Sequence, residues 1–194
     1  GSDAVRYYLC RQIPTNQDGN FSIVDLEQRI SSDLANDLGN LLNRVVTLAL
    51  KNEVVTVNPS IAWQKEAVDL RDESWNVVDD FSNHMNACEF HLALARLWEF
   101  IHKTNAYFHG KEPWKLAKSD RDSFVEVISA TCHSLRNIAL LLWPMMPQKM
   151  KQLLFSLGQE ITFDHDAIED LELCTWHHTF KLTQVPALFK KPEP

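Results

Sequence analysis

Residues 34–45, Leu34-Ala35-Asn36-Asp37-Leu38-Gly39-Asn40-Leu41-Leu42-Asn43-Arg44-Val45, place a polar stripe on a helix otherwise built for burial. Leu34, Leu38, Leu41, Leu42, Val45 and Leu48 recur at helical spacing and define an apolar face. Asn36, Asn40 and Arg44 follow one another at steps of four on another face. Such a row is either the solvated side of an amphipathic helix or a set of amides and a guanidinium able to read base edges.

The pattern extends in both directions from this stretch. Upstream, Ser22 with Asp25 three residues on forms a capping box, and Phe21 with Leu26 stands at staple spacing. The helix therefore runs from Ser22 to about Lys51, with Gly39 as its weak point, because a glycine inside a helix costs roughly 1 kcal/mol against alanine. That cost implies a close approach by another helix or a ligand. Asp3 to Arg11 reads as a short helix, followed by a turn-rich link through Pro14, Asn16, Asp18 and Gly19. Downstream, Asn52 to Asn58 is β-branched but ends at Pro59, so a loop or a brief extended piece is expected rather than a sheet strand.

Further helical periods cover residues 61–83, 86–109, 123–142 and 147–157, closed by Gly110 and Pro113, by Pro144 and by Gly158. From Glu160 to Pro194 the chain is less periodic and is expected to wrap back over the bundle. Long helices with short connections imply an all-α fold, an antiparallel α-helix bundle with a less regular C-terminal tail.

The 194 residues suffice for one helical domain with a sizeable core. A net charge of −7 argues against a long basic groove for nucleic acid. A contact confined to a few bases can still rest on a local group such as Arg44, Lys51, Lys111, Lys115 and Lys118. Cys10, Cys88, Cys132 and Cys174 form no Cys-x-x-Cys pair and signal neither a zinc knuckle nor a disulfide framework. No secretory signal is visible and the run Ile138 to Trp143 is too short to cross a bilayer, so a cytoplasmic setting with no membrane partner is expected.

A second segment, Glu112-Pro113-Trp114-Lys115-Leu116-Ala117-Lys118, sets a Trp after a Pro with lysines beside it. Trp114 reads equally as a cover for the end of the bundle or as a stacking platform. Together with residues 34–45 it resembles the anticodon-binding domain of the methionyl-tRNA synthetase family. The resemblance continues elsewhere. Asp3-Ala4-Val5-Arg6-Tyr7-Tyr8-Leu9 is similar to the end of that family's stem-contact region. Ala93-Leu94-Ala95-Arg96-Leu97-Trp98-Glu99-Phe100-Ile101 with Asn105 is similar to the helix before its Pro-Trp element. Ser134-Leu135-Arg136-Asn137-Ile138-Ala139 and Trp143-Pro144-Met145-Met146-Pro147 resemble its later helix pair. Ala187-Leu188-Phe189-Lys190-Lys191-Pro192-Glu193 resembles its closing segment, with Lys190 where the family has proline.

The resemblance implies that Asn40 and Arg44 hydrogen-bond anticodon bases and that Trp114 stacks on one, with Asn36, Lys115 and Lys118 as supporting contacts. It implies the anticodon stem-loop of tRNA(Met) and a separate catalytic domain as partners. The family's ATP-site signatures and zinc-knuckle cysteines are absent here. No cofactor or metal is therefore expected in this chain, ATP belonging to the catalytic domain of a longer parent enzyme, and no activity from this chain alone. Gly1-Ser2 reads as a cloning remnant, residues 1–21 as that remnant, the end of the stem-contact region and a link, and 22–194 as the bundle and its tail.

Three other readings compete. A stand-alone protein-interaction module would use exposed Trp63, Trp75 and Trp176. Another class I synthetase could carry a similar bundle. A metal-dependent bundle enzyme would use Glu99-x-x-His102, of which the second half is missing. Asp79-Asp80 with His84, and His177-His178, read as solvated polar positions.

Overall fold

A computed structural model describes residues 1–15, 17–160 and 173–191; the link residue Asn16 and the end of the closing motif at 192–193 lie outside them. α1 (Ser2–Gln12) is tied to the rest of the molecule by two carboxylates, its own Asp3 and Asp33. Asp3 accepts from the Lys149 N–H at 2.9 Å, and the Tyr7 hydroxyl donates to Asp33 at 2.6 Å. Ser22 caps α2 (Ile23–Arg29) by accepting from the Asp25 N–H at 3.2 Å, while Phe21 packs edge-on against Tyr8 with ring centroids 5.4 Å apart.

The helix then continues without a break to Lys51, but its middle is wound differently. Ile30–Gly39 is a π-helical stretch, and α3 (Asn40–Lys51) resumes the ordinary winding. The Asn40 N–H still reaches back five residues to the Ala35 carbonyl. Gly39, buried, is the last residue of the stretch, where an added Cβ would lie 3.1 Å from the Leu34 carbonyl and 3.7 Å from the Phe189 ring. The close approach expected there is thus made by the closing segment.

α4 (Lys65–Asn86) and α5 (Phe90–Gly110) form an antiparallel pair joined by ion pairs, Arg96 to Glu73 at 2.9 Å and to Asp80 at 2.7 Å, and Lys103 to Glu73 at 2.6 Å. α4 starts at Lys65 rather than Ile61 because Glu126 accepts the Gln64 N–H at 2.8 Å and the Ser60 hydroxyl at 3.2 Å, holding the approach extended. α5 starts later than expected because Cys88 takes a positive φ of 58° in the turn between the two. Pro113 does not merely end α5: it stands at the first position of α6 (Pro113–Ser119), a helix that sequence periodicity does not announce.

α7 (Arg121–Leu142), capped by Asp120, is the central helix. At 22 residues, with an 18-residue stretch of mean hydropathy 1.2, it is long and apolar enough to cross a bilayer, yet 94% of that stretch is buried within the bundle. Buried hydroxyls on it turn back to their own helix, Thr131 to the Val127 carbonyl and Ser134 to the Ala130 carbonyl. α8 (Pro147–Ser156) follows and stops before Gly158, whose φ is +71°.

The segment from Leu173 to Lys191 wraps over the bundle. Thr56–Val57 (β1) pairs antiparallel with Phe180–Lys181 (β2), so the loop or brief extended piece expected there is a two-residue strand, secured by a partner far away in sequence. Beyond it, Gln184 bonds Asn43 at 2.9 Å and Thr47 at 3.2 Å, and Leu188 and Phe189 are buried. The same segment corrects two expectations. Trp176 is only 6% exposed and packs with Trp63 and His133, so these tryptophans offer no open groove; Trp75 alone of the three stays exposed. His178 is half-buried rather than solvated, its ring 6.1 Å from that of His133 and 6.5 Å from that of Phe180, and its backbone N–H donates to His133 Nε2 at 3.1 Å.

Candidate nucleic-acid interface

Asn40 opens α3 and is exposed; Arg44 lies one turn on, on the same face. The Arg44 guanidinium sits 5.3 Å from the Phe108 ring centroid and 6.0 Å from that of Trp114. Among the described residues no carboxylate pairs with it. Two aromatic faces therefore orient it, each cation–π contact worth about 0.5–2 kcal/mol, while its donors stay available.

The element that presents Trp114 is a tight turn. α5 ends at Gly110, Glu112 adopts the left-handed region at φ 47°, and Pro113 begins α6. A non-glycine residue held there costs on the order of 1–3 kcal/mol, a strain that neighbouring structure has to support. The Lys115 and Leu116 N–H groups, which bond the Glu112 carbonyl at 2.7 and 3.3 Å, provide that support. Trp114 emerges half-buried, with the exposed His109 ring 5.5 Å away and tilted by 47°.

The remaining cations differ in what holds them. Lys118 is exposed, and no described carboxylate pairs with it. Lys115 pairs with Glu112 at 2.7 Å, but both side chains are largely exposed, and such a pair is worth little. Lys111 is turned toward α4 by Glu66 at 3.0 Å and Gln64 at 3.3 Å, so it does not join the group. Lys51 is exposed at the far end of α3. Asn36 is exposed on the π-helical stretch, whereas Asn43 bonds Thr47 and Gln184 and serves the closing segment.

Phe108 and His109, which line the site, escape sequence reading because only the fold brings the last turn of α5 against Arg44 and α6. Among the described residues no group of three or more His, Cys, Asp or Glu is placed to hold a metal ion. Glu99 faces Arg96 at 3.4 Å and His102 faces Asp37 at 3.0 Å, so the Glu-x-x-His pair does not converge. The arrangement suits unpaired bases: an indole face for stacking, a guanidinium that selects acceptors such as cytosine O2 or N3, and an amide that both donates and accepts.

Comparison with known proteins follows the same lines. The family model described as the anticodon binding domain of methionyl tRNA ligase matches residues 58–193. The model for tRNA synthetases class I (M) matches residues 1–46. Methionine–tRNA ligase of Listeria monocytogenes is 34% identical over 194 residues, covering 96% of this chain and 27% of the relative. That of Caldanaerobacter subterraneus is 38% identical over 175 residues, covering 89% and 27%. The chain thus spans about a quarter of the length of the curated relatives it matches. Among solved structures, apo methionyl-tRNA synthetase of Mycobacterium tuberculosis superposes with a TM-score of 0.89 at 29% identity, over 99% of this chain and 39% of that one. The same enzyme in complex with methionyl-adenylate gives a TM-score of 0.86 at 30% identity, over 96% and 37%.

Proposed function

This chain belongs to the methionyl-tRNA ligase family and contains its anticodon-binding domain, and from that premise we propose that it reads the anticodon loop of tRNA(Met) through Asn40, Arg44 and Trp114. Trp114 stacks on an anticodon base, and Arg44 and Asn40 hydrogen-bond base edges. Asn36, Lys115 and Lys118 support the loop. In this reading residues 1–21 close the stem-contact region and 22–194 recognise the loop, although Tyr7 of α1 also packs against Trp98 at 4.6 Å. The parent enzyme, a cytoplasmic translation enzyme, would join methionine to tRNA using ATP in a catalytic domain outside this chain. Binding energy gathered at the anticodon would then hold the acceptor end in place.

The observation that supports this most is the Arg44 guanidinium, poised over Phe108 and Trp114 with no described carboxylate partner, one turn from exposed Asn40. Titration with anticodon hairpins tests it. A hairpin carrying CAU is expected to outcompete those carrying GAU or CUU, because a replaced base leaves a desolvated donor or acceptor unpaired, at about 1–3 kcal/mol per group. Equal binding of all three would point instead to a helical protein-interaction module.

A further inference from the structure

Asn105 on α5 sits between the two walls of this site. Its Nδ2 donates to the Ile101 carbonyl, one turn back, at 3.0 Å, and to the Asp37 carbonyl on the π-helical stretch, also at 3.0 Å. His102 Nε2 lies 3.0 Å from the Asp37 carboxylate. α5 therefore grips Asp37 by both its backbone and its side chain, three residues before Asn40, where ordinary winding resumes. On α5, Asn105 precedes Phe108 and His109 by three and four residues, and these are the rings against Arg44 and Trp114.

We propose that Asn105 is a positioning residue for base recognition: its amide pins the Asp37 carbonyl to α5, keeps Ile30–Gly39 in its π-helical winding, and so sets the angle at which Asn40 and Arg44 face Trp114. Long π-helical stretches are rare and give way to the α-helix unless something outside the helix holds them. The far end of the stretch is tied to α1. Asp33 is fixed there by Tyr7 at 2.6 Å and Arg29 at 3.1 Å. A change of winding between Asp33 and Asn40 is therefore taken up by α3, which carries Asn40 and Arg44 away from the indole. Asn105 touches no base itself.

The proposal rests on the anticodon reading, and two measurements separate their fates. Asn105→Asp keeps the shape and removes the donor; Asn105→Leu does the same without charge should the first variant fail to fold. Amide hydrogen exchange at Asn40, whose N–H bonds Ala35, is expected to accelerate roughly tenfold, the value of one hydrogen bond. The preference for a CAU over a GAU hairpin is expected to narrow by a similar factor, with circular dichroism and the salt-dependent part of the affinity unchanged. Unchanged exchange at Asn40 overturns the proposal. So does faster exchange with an intact preference, which would leave Asn105 a structural tie. If the unaltered chain shows no preference at all, the anticodon reading fails, and Asn40 exchange still reports whether Asn105 holds the winding.

Discussion

Arg44 and Lys118 are both cations near α6, but one is oriented by two rings and the other is free in solvent. Their substitutions are therefore expected to differ in kind. Arg44→Ala should compress the difference between CAU and GAU hairpins, whereas Lys118→Ala should weaken both alike and only at low salt, since phosphates carry the same charge whatever the anticodon. Competition titrations at two salt concentrations distinguish the patterns; a uniform loss from Arg44→Ala would make it a phosphate contact. Trp114→Ala is expected to cost about 1–3 kcal/mol of hairpin affinity at constant helix content. Unaltered affinity would reduce Trp114 to a cover for the bundle end. At this scale the local patterns around Asn40, Arg44 and Trp114 left a solvated face and a cover for the bundle end equally open, and the family resemblance is what singles these three residues out. The contacts of Phe108, His109 and Asn105 were not readable, because they arise from α5 crossing a helix some sixty residues earlier in the chain.

Among the elements, those whose ends are set by neighbours in sequence were legible: Ser22 caps its own helix, and Gly158 follows α8. The start of α4 was not, because Glu126 of α7 decides it, and α6 was not, because Pro113 opens a helix as readily as it closes one. The π-helical winding left no trace beyond Gly39, since its apolar spacing over ten residues is close to that of an α-helix. Gly158 also anchors the closing segment. Its φ is +71°, and a Cβ there would stand 2.6 Å from the Lys181 carbonyl. Gly158→Ala is therefore expected to lose on the order of 1–3 kcal/mol in urea unfolding. A loss under about 0.5 kcal/mol would mean that Phe180–Lys181 shifts freely.

Over the whole molecule, the closing segment is tied down through an imidazole. His133 Nδ1 bonds the Ser129 carbonyl at 2.8 Å and Nε2 accepts the His178 N–H at 3.1 Å, an arrangement that requires the neutral ring. Burial, aided by nearby His178, Arg136 and His177, pushes its pKa from the usual 6.5 down to about 3. The unfolded chain thus binds more protons between these values, and stability falls as pH drops below 6.5, by up to about 1.4 kcal/mol per pH unit. Urea unfolding between pH 5 and 7 should show this slope, and His133→Gln should flatten it; an unchanged slope would assign it to other groups. The bundle as an architecture was readable from helical period and short connections. That the last segment wraps back was expected from its loss of helical period, but the contacts that dock it were not readable, because one histidine inside an apolar helix signals no partner by itself.

The ion pairs between α4 and α5 have a kinetic consequence. Arg96, Lys103 and Lys111 are held by Glu73 and Glu66 of α4, which leaves Lys115 and Lys118 as the exposed cations beside Arg44 on a molecule of net charge −7. With cations bearing on about two phosphates, the logarithm of hairpin affinity should fall against the logarithm of salt with a slope of only about −1.4 to −1.8. A slope of about −5 would require a far wider phosphate footprint. Under the anticodon reading, a net charge of −7 opposes the approach of a polyanion from most directions, and least at the Arg44 end, where Lys115 and Lys118 are exposed. Encounters are consequently fewer than with a basic protein, and a larger share of them arrive the right way round.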